Sequence, residues 1–361
     1  MLEAFSLPVE PFNGTWINCV NNNLISILMN HDKNFEYTPC LAETKYQLHS
    51  LEEDDRDETT ENKSQAHEEG MLLLDVVRVL DLSSVLDFQT YSFAKEESVH
   101  PAIKEFLQNG YYVFVDLDRF YYPSGVDSEK QHIVHPAFLY GYNEETKSYL
   151  LIEDCMQPSK MEKYMLPYDC FDRAFAFAQA PSLLVTRIKE QEEQQFFSRC
   201  TKELIKGNLH SLLLEERTQI KGIHSENSPI YTGYGLSAIK RFADSIEQRL
   251  LGISLPNFQR KAVAIKNPYF FRKSTIHLPL ILYKNNWVNE TAFDRLTSEY
   301  KKLCHDWELY GNTLIKLYYK SYYSRGANQS HQSEMESLRE LLMGMCEKEK
   351  RVTSFTLELL T

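Results

Sequence analysis

The sequence lacks the cysteine and charge patterns that would assign it to a familiar class at once. It has no Cys-x-x-Cys pair, and its cysteines are odd in number: seven, at positions 19, 40, 155, 170, 200, 304 and 346. Disulfide frameworks and zinc sites do not have this pattern, so we expect reduced thiols and no metal. A long basic run is also missing from a chain of net charge -12, which argues against a nucleic-acid partner and against anionic membranes.

Long apolar runs are missing as well. None approaches the roughly 20 residues that a membrane-spanning helix needs. The first residues, MLEAFSLPVEPF, lack the basic, apolar and small-residue blocks of a secretory signal. We therefore expect a soluble, cytoplasmic protein. A chain of 361 residues with 43% hydrophobic content is long enough for two domains.

The first half mixes predicted strands and helices. Aromatic and β-branched runs predict strands over 111–118, 136–142, 149–154 and 182–188. Helical spacing predicts helices over 71–83 and 99–109. Before these elements, the acidic run 51–70 has almost no apolar residues, so we expect a mobile surface loop. The pattern changes near residue 188, where we place a domain boundary.

The second half is dominated by helical periodicity. Apolar residues share one face over 234–251, and a longer series from 293 to 317 alternates steps of three and four, which is typical of helices packed against each other. We expect a helical bundle without catalytic residues. The stretch 257–274 is predicted as a loop that concentrates positive charge, from Arg260, Lys261, Lys266, Arg272 and Lys273.

The stretch NGTWINCVNNN, residues 13–23, places Cys19 where a polar turn gives way to an apolar helix. Asn18 is a suitable N-cap, which puts Cys19 in the first turn. The N–H groups and partial positive charge at a helix start favour a thiolate, the reactive form of cysteine. Cys19 is therefore a candidate nucleophile, although buried cysteines more often serve as apolar filler.

A nucleophilic cysteine needs a base, and the hairpin 136–154 supplies one. If the hairpin folds symmetrically about its polar turn, His135 at one end faces Asp154 at the other, close enough for the carboxylate to orient the imidazole. A shift of one residue would pair His135 with Glu153 or Cys155 instead. His132 is a rival base without a partner in this register, and the spacing of Cys19, His132 and His135 matches no zinc site.

Cys19, His135 and Asp154 together predict acyl transfer, in which the acyl group rests on Cys19 as a thioester before an amine or water takes it. The oxyanion needs hydrogen-bond donors. We expect the backbone N–H of Cys19 and the side chain of Asn13 to supply them. Asn18 and the asparagines at 21–23 are alternatives.

With these residues in place, the chain resembles a known family. The motifs H-x-x-H-P-A-F-L-Y-G-Y and L-L-I-E-D, the early cysteine, and YTGYGLSAIKRFADSI (231–246) are similar to those of the butirosin biosynthesis protein H family. The resemblance implies an α+β fold: a papain-like domain over 1–188, with an antiparallel sheet and a nucleophile helix, and then an all-helical domain over 189–361. Cys19 would be the nucleophile, His135 the base and Asp154 its orienter. Papain-like enzymes usually place a glutamine where this chain has Asn13, which is one methylene shorter.

The same resemblance implies a function. The butirosin protein transfers an aminoacyl group from an acyl carrier protein to an aminoglycoside amine, and its relatives occur in nonribosomal peptide and polyketide biosynthesis, a form of secondary metabolism. A carrier-protein donor, a small amine acceptor and no cofactor follow. Carrier proteins are acidic, so the basic stretch 260–273 is the predicted docking site. The segment 171–180 and the long helix could form a homodimer interface. An amidase, peptidase or thioesterase with the same triad and a non-catalytic papain-like binding protein are the alternatives.

Overall fold

A computed structural model describes residues 3–49, 73–92, 99–179, 182–189, 195–220, 230–251, 258, 262–323 and 332–361. The chain forms two compact units, one of Met1–Thr38 and Leu80–Arg199, the other of Pro39–Val79 and Cys200–Thr361. The second unit thus includes a segment from the N-terminal half. The domain limits 1–188 and 189–361 stay a prediction. The predicted acidic loop 51–70 lies outside the described residues.

The first unit is built on a seven-stranded sheet in which every pair is antiparallel. Six strands follow the order β4-β9-β5-β6-β7-β8, and β1 pairs with β6. The strands of this unit are β1 (Ala4–Ser6), β4 (Leu86–Ser92), β5 (Tyr112–Asp118), β6 (Val134–Asn143), β7 (Ser148–Glu153), β8 (Glu162–Pro167) and β9 (Ser182–Ile188). The four strands predicted from aromatic and β-branched runs are confirmed as β5, β6, β7 and β9.

The described part of this unit also contains four α-helices. They are α1 (Cys19–His31), α2 (Val99–Gln108), α3 (Tyr168–Ala178) and the short α4 (Phe196–Arg199). The predicted helix over 99–109 is confirmed as α2. Apolar side chains of α2 and α3 share a buried core with β5, β6, β7 and β9. Helix α1 lies near β6 and β9, and its Ile25, Ile27 and Leu28 are fully buried.

Gly141 marks an irregularity in β6 that matters for the site. Residues up to Leu139 pair with β5, and residues from Gly141 pair with β1. A side chain at Gly141 would overlap the main-chain oxygen of Phe5, so only glycine permits this approach of β1. The pairing with β7 shifts by one residue between Leu139 and Gly141, as at a β-bulge.

The second unit also contains a sheet, which corrects two predictions. Its strands are β2 (Glu43–His49), β3 (Asp75–Val79), β10 (Glu216–Ile220) and β11 (Ile230–Tyr234), in the order β10-β11-β2-β3. The helix predicted over 71–83 is wrong, because the β-branched residues around Val76 pair with β2. The all-helical prediction for 189–361 is wrong at β10 and β11, although the region is otherwise mostly helical.

The helices of this unit include the two longest of the described chain. They are α5 (Lys202–Leu213), α6 (Leu236–Leu251), α7 (Ala262–Ile265), α8 (Asn267–Thr275), α9 (Leu278–Lys284), α10 (Glu290–Tyr323) and α11 (Gln332–Leu360). The predicted helices over 234–251 and 293–317 are confirmed as α6 and part of α10. Among the described residues, none of the helices is both long enough and apolar enough to cross a bilayer.

The basic stretch predicted as a docking loop is different in the structure. Its residues 262–265 and 267–275 are the helices α7 and α8. Arg272 is buried and bonds to buried Glu349, so it offers no charge to a partner. Lys266 and Lys273 are partly exposed, whereas Arg260 and Lys261 lie outside the described residues.

Candidate active site

The loop before α1 is held in place by polar side chains of the helix itself. The amide of Asn22 donates to the carbonyl oxygens of Phe12 and Thr15 at 3.2 and 2.9 Å, and its oxygen accepts the N–H of Ile17 at 3.0 Å. The hydroxyl of Ser26 accepts the N–H of Phe12 at 2.9 Å. These bonds are buried, so the chain enters α1 along a defined path.

Cys19 is the first residue of α1, as the sequence predicted. The side chain of Asn18 accepts the N–H of Asn21 at 2.8 Å and caps the helix, which confirms Asn18 as the N-cap. The first N–H groups of a helix have no acceptor within it and carry partial positive charge. Cys19 is partly buried and lies in this favourable field for a thiolate.

His135 lies near the start of β6, where it pairs with Leu117 of β5, and its imidazole is close enough to the side chain of Cys19 for the two to influence each other's charge. Its Nδ1 is 3.5 Å from Oε1 of Glu153. Burial lowers the pKa of His135, but the interactions with Cys19 and with the carboxylate of Glu153 outweigh burial and the charge of Arg119 and raise the pKa to about 10. The structure thus brings the predicted nucleophile and base together and favours an imidazolium beside the sulfur.

The predicted pairing of His135 with Asp154 is wrong, because the hairpin register differs from the symmetric one. Asn143 pairs with Ser148, and beyond the bulge Phe138 pairs with Ile152, whereas a hairpin that sets His135 opposite Asp154 would pair Phe138 with Leu151. β7 then ends at Glu153. The carboxylate next to the imidazole is that of Glu153, which in the observed register comes opposite Ala137 and so reaches His135 diagonally, rather than as the directly paired residue of a shifted register.

Asp154 has a different set of contacts. One of its carboxylate oxygens bonds to the guanidinium of Arg119, and the other accepts the N–H of Ser159 at 3.0 Å. The side chain is mostly buried. Asp154 therefore anchors the turn that follows β7, and it reaches His135 only through Arg119.

Asn13, the predicted oxyanion donor, is bonded elsewhere. Its amide donates to the carbonyl oxygen of Met161 at 2.9 Å, and its oxygen accepts the N–H of Met161 at 2.8 Å. This pair of bonds ties the segment before α1 to the segment before β8. Among the alternatives, Asn18 caps α1 and Asn22 holds the preceding loop. Asn23 donates to the carbonyl oxygen of Ile152 at 3.4 Å, and its own oxygen is buried and unpartnered.

Sequence reasoning missed Arg119 altogether. It begins a short 3-10 turn, Arg119–Tyr121, capped by Asp118 directly after β5. Its Nη2 bonds to Oε2 of Glu153 at 2.5 Å and to Asp154, and it lies 3.3 Å from Nε2 of His135. Burial lowers the pKa of Arg119, but the two carboxylates outweigh it and raise the pKa. A charged residue at the end of a buried strand next to the histidine strand was the available signal.

His132, the rival base, belongs to a separate arrangement. Its Nδ1 is 2.5 Å from Oδ2 of the buried Asp118, and its ring stacks between Phe120 and Phe177, with centroids 4.2 and 4.1 Å away. The other oxygen of Asp118 accepts the N–H groups of Phe120 and Ile133. These contacts fix the loop that leads into β6, and they give His132 a carboxylate partner that the register argument lacked.

Within the described chain, one group of side chains has donor atoms close enough for a metal ion. These are His135, Glu153 and Asp154, whose donor atoms lie within 4.8 Å of one another. The guanidinium of Arg119 already binds both carboxylates. Because a cationic side chain takes the place where an ion would bind, we assign no metal here.

Comparison of the sequence with protein-family models and with curated proteins found no match.

Proposed function

We propose that this protein is a cysteine-dependent acyltransferase, which moves an acyl group from a thioester to an amine through an acyl-Cys19 intermediate. The observation that carries the proposal is the placement of Cys19, at the start of α1, beside His135, whose imidazole is flanked by the buried carboxylate of Glu153 at 3.5 Å. A nucleophile, a base and an orienting anion in contact are the parts that covalent acyl transfer requires.

In the first half of the reaction, the thiolate of Cys19 attacks the carbonyl carbon of the donor thioester. The tetrahedral intermediate collapses as its C–S bond to the donor breaks, and the imidazolium of His135 gives its proton to the departing thiolate. The acyl group is then on Cys19 and the imidazole is neutral. The negative charge of Glu153 stabilises the imidazolium before this step and holds the ring during it.

In the second half, the acceptor amine attacks the acyl-Cys19 carbonyl. Neutral His135 removes a proton from the amine as the C–N bond forms, the bond from carbon to the sulfur of Cys19 breaks, and the thiolate leaves. The product is an amide, and the thiolate and imidazolium are restored. If water takes the place of the amine, the same steps give a carboxylic acid.

The backbone is the favoured source of oxyanion donors. The N–H groups in the first turn of α1 point out of the helix start and have no acceptor within the helix. The NH2 group of Asn13 is occupied by the carbonyl oxygen of Met161, and the side chain of Asn18 is held by its capping bond to the N–H of Asn21. We therefore move the oxyanion role from the side chain of Asn13 to the N–H of Cys19 and its neighbour.

The resemblance to the butirosin protein H family adds to the proposal. It supports a papain-like fold for the first unit, an acyl or peptidyl carrier protein as donor, a small amine as acceptor, and a place in secondary-metabolite biosynthesis such as nonribosomal peptide assembly. Among the described residues of the basic stretch, Lys266 and Lys273 are the ones that could meet an acidic carrier protein, because Arg272 is buried.

Intact-protein mass spectrometry tests the proposal. The protein is incubated with an acyl carrier protein that bears an acyl thioester, and with a small acyl thioester as a second donor. The expected result is a mass increase of one acyl group that is absent from Cys19→Ala. Cys304→Ala is the matched control, because Cys304 is also partly exposed and should leave the adduct unchanged. An adduct that survives Cys19→Ala would refute the assignment.

Added amines decide the fate of the adduct. Transfer predicts that the amine appears in the product, whereas an amidase, peptidase or thioesterase releases the free acid at the same rate with and without it. No adduct with either donor, together with alkylation of Cys19 no faster than that of Cys304, would favour a binding protein without catalysis.

A further inference from the structure

The guanidinium of Arg119 forms ion pairs with both carboxylates of the candidate site, those of Glu153 and Asp154. Arg119 is 8% exposed, while Glu153 and Asp154 are 1% and 7% exposed. Two adjacent buried carboxylates repel each other, and one of them would take up a proton unless a cation lies between them. The guanidinium supplies that cation and bonds to both.

The same contacts orient Glu153. Arg119 holds Oε2 at 2.5 Å, which leaves Oε1 facing Nδ1 of His135 at 3.5 Å. Both Oε1 and Nδ1 are buried and form no hydrogen bond with any described residue, so their 3.5 Å contact is an ion pair. One oxygen of the Glu153 carboxylate therefore binds the guanidinium, and the other faces the imidazole. The side chain of Glu153 cannot rotate without breaking its bond to Arg119.

Arg119 itself is fixed by its own turn. Its N–H donates to the carbonyl oxygen of Ile133 at 2.9 Å, which ties it to the segment leading into β6. Asp118 caps the turn through the N–H of Phe120 and also accepts the N–H of Ile133. The guanidinium is thus held by the strand pair that carries His135.

We propose that Arg119 is a positioning residue of the active site: it keeps the carboxylate of Glu153 turned towards His135, and through that carboxylate it holds the imidazole beside Cys19. This proposal rests on the proposed function for its meaning in catalysis. Its test does not, because the reactivity of Cys19 towards a small alkylating agent needs no acyl donor.

Among the described residues, few titratable groups near Arg119 could add their own titration to a pH profile of Cys19 reactivity. Those that face it and His135 are Cys19 from α1, Glu153 and Asp154 from the end of β7, and Tyr122, Cys155 and Tyr164 around them. Burial raises the pKa of Cys155 to about 12 and raises the pKa values of both tyrosines further. Between pH 5 and 9 these three stay neutral, so changes in that range report on Cys19, His135 and the two carboxylates.

The experiment measures the rate of alkylation of Cys19 by iodoacetamide from pH 5 to 9, read by peptide mass spectrometry. The wild type should react at a rate that stays nearly level down to about pH 6, because the imidazolium keeps the thiolate. Arg119→Met should react at least tenfold more slowly at pH 6 and follow an ordinary thiol titration near 8.5. Arg119→Lys keeps the charge and should recover at least a third of the wild-type rate.

Arg173→Met is the matched control, because Arg173 is exposed in the same unit and pairs with Asp169. It should keep the wild-type profile. A folded Arg119→Met with the wild-type profile would overturn the proposal, and so would an Arg119→Lys variant that is folded and no better than Arg119→Met. If Arg119→Met does not fold, Arg119→Gln combined with Asp154→Asn removes one buried charge of each sign and is judged by the same criteria. If the wild-type protein catalyses no acyl transfer, the proposed function is refuted, but the effect of Arg119 on the alkylation of Cys19 still stands.

Discussion

Glu153→Gln and Asp154→Asn form the sharpest pair of tests, because they separate two neighbouring acids that the sequence alone cannot distinguish. Glutamine keeps the shape of Glu153 and removes its charge. We expect Glu153→Gln to abolish the level low-pH rate of Cys19 alkylation and to slow acyl transfer by about 100-fold. Asp154→Asn should change either rate by less than about fivefold, because Asp154 contacts Arg119 and Ser159 rather than the imidazole.

The size of the effect follows from the separation of the charges. His135 and Glu153 are 3.5 Å apart. At an effective dielectric constant of about 20, unit charges at that distance attract by roughly 332/(20 × 3.5), or about 5 kcal/mol. Since 1.36 kcal/mol corresponds to one pKa unit, this attraction alone matches the net rise in the pKa of His135 from 6.5 to about 10, and the interaction with Cys19 is needed as well to offset burial and the charge of Arg119.

The assay is the pH profile of Cys19 alkylation, followed by single-turnover acyl transfer with each variant. Thermal unfolding of both variants shows that they are folded. If Asp154→Asn lost the low-pH rate while Glu153→Gln kept it, the register and the charge argument would both be wrong, and the original assignment of Asp154 would stand.

Three further predictions concern stability. Gly141→Ala should lower the free energy of unfolding by about 1–3 kcal/mol, because the added methyl group would overlap the backbone of β1. Gly207→Ala, at an open helical position, should be neutral or stabilising by up to about 1 kcal/mol. Thermal unfolding compares the two variants. Glu349→Gln should lower the free energy of unfolding, measured in urea, by about 3–5 kcal/mol, because it leaves the buried charge of Arg272 unpaired. A loss smaller than that caused by neutralising an acid on the surface would contradict this prediction. His135 has a higher pKa in the folded protein than in the unfolded chain, so it contributes at most about 5 kcal/mol of stability. That contribution is fully present below pH 6.5 and is lost as the pH rises to about 10. The urea midpoint of the wild type should therefore fall more over that range than the midpoint of His135→Gln.

Some parts of the site could be predicted because they depend on neighbours in the sequence. Asn18 caps α1 through the N–H of a residue three positions later, and that bond is local. The strands around His135 are also recognisable, because continuous apolar runs favour strands whatever their partners. Residues 73–79 show the limit of such reasoning: Leu73, Val76, Val77 and Leu80 fit a helical period, but pairing with β2 decides for a strand.

The choice between Glu153 and Asp154 illustrates what lies beyond local patterns. A bulge of one residue changes which acid reaches the histidine, and the bulge occurs where β1 approaches β6 at Gly141, more than a hundred residues from β1 in the chain. Periodicity within the hairpin carries no information about that third strand.

By itself the sequence determined the position of Cys19 at a helix start, its cap, and the strand that carries His135, because these follow from hydrogen bonds and hydrophobic periods within a few residues. Only the tertiary structure decided that Glu153 faces the imidazole, that Arg119 joins the two acids, and that the amide of Asn13 binds Met161. Each of those outcomes depends on strand register and on charges brought together from distant parts of the chain, where a shift of one residue changes every partner.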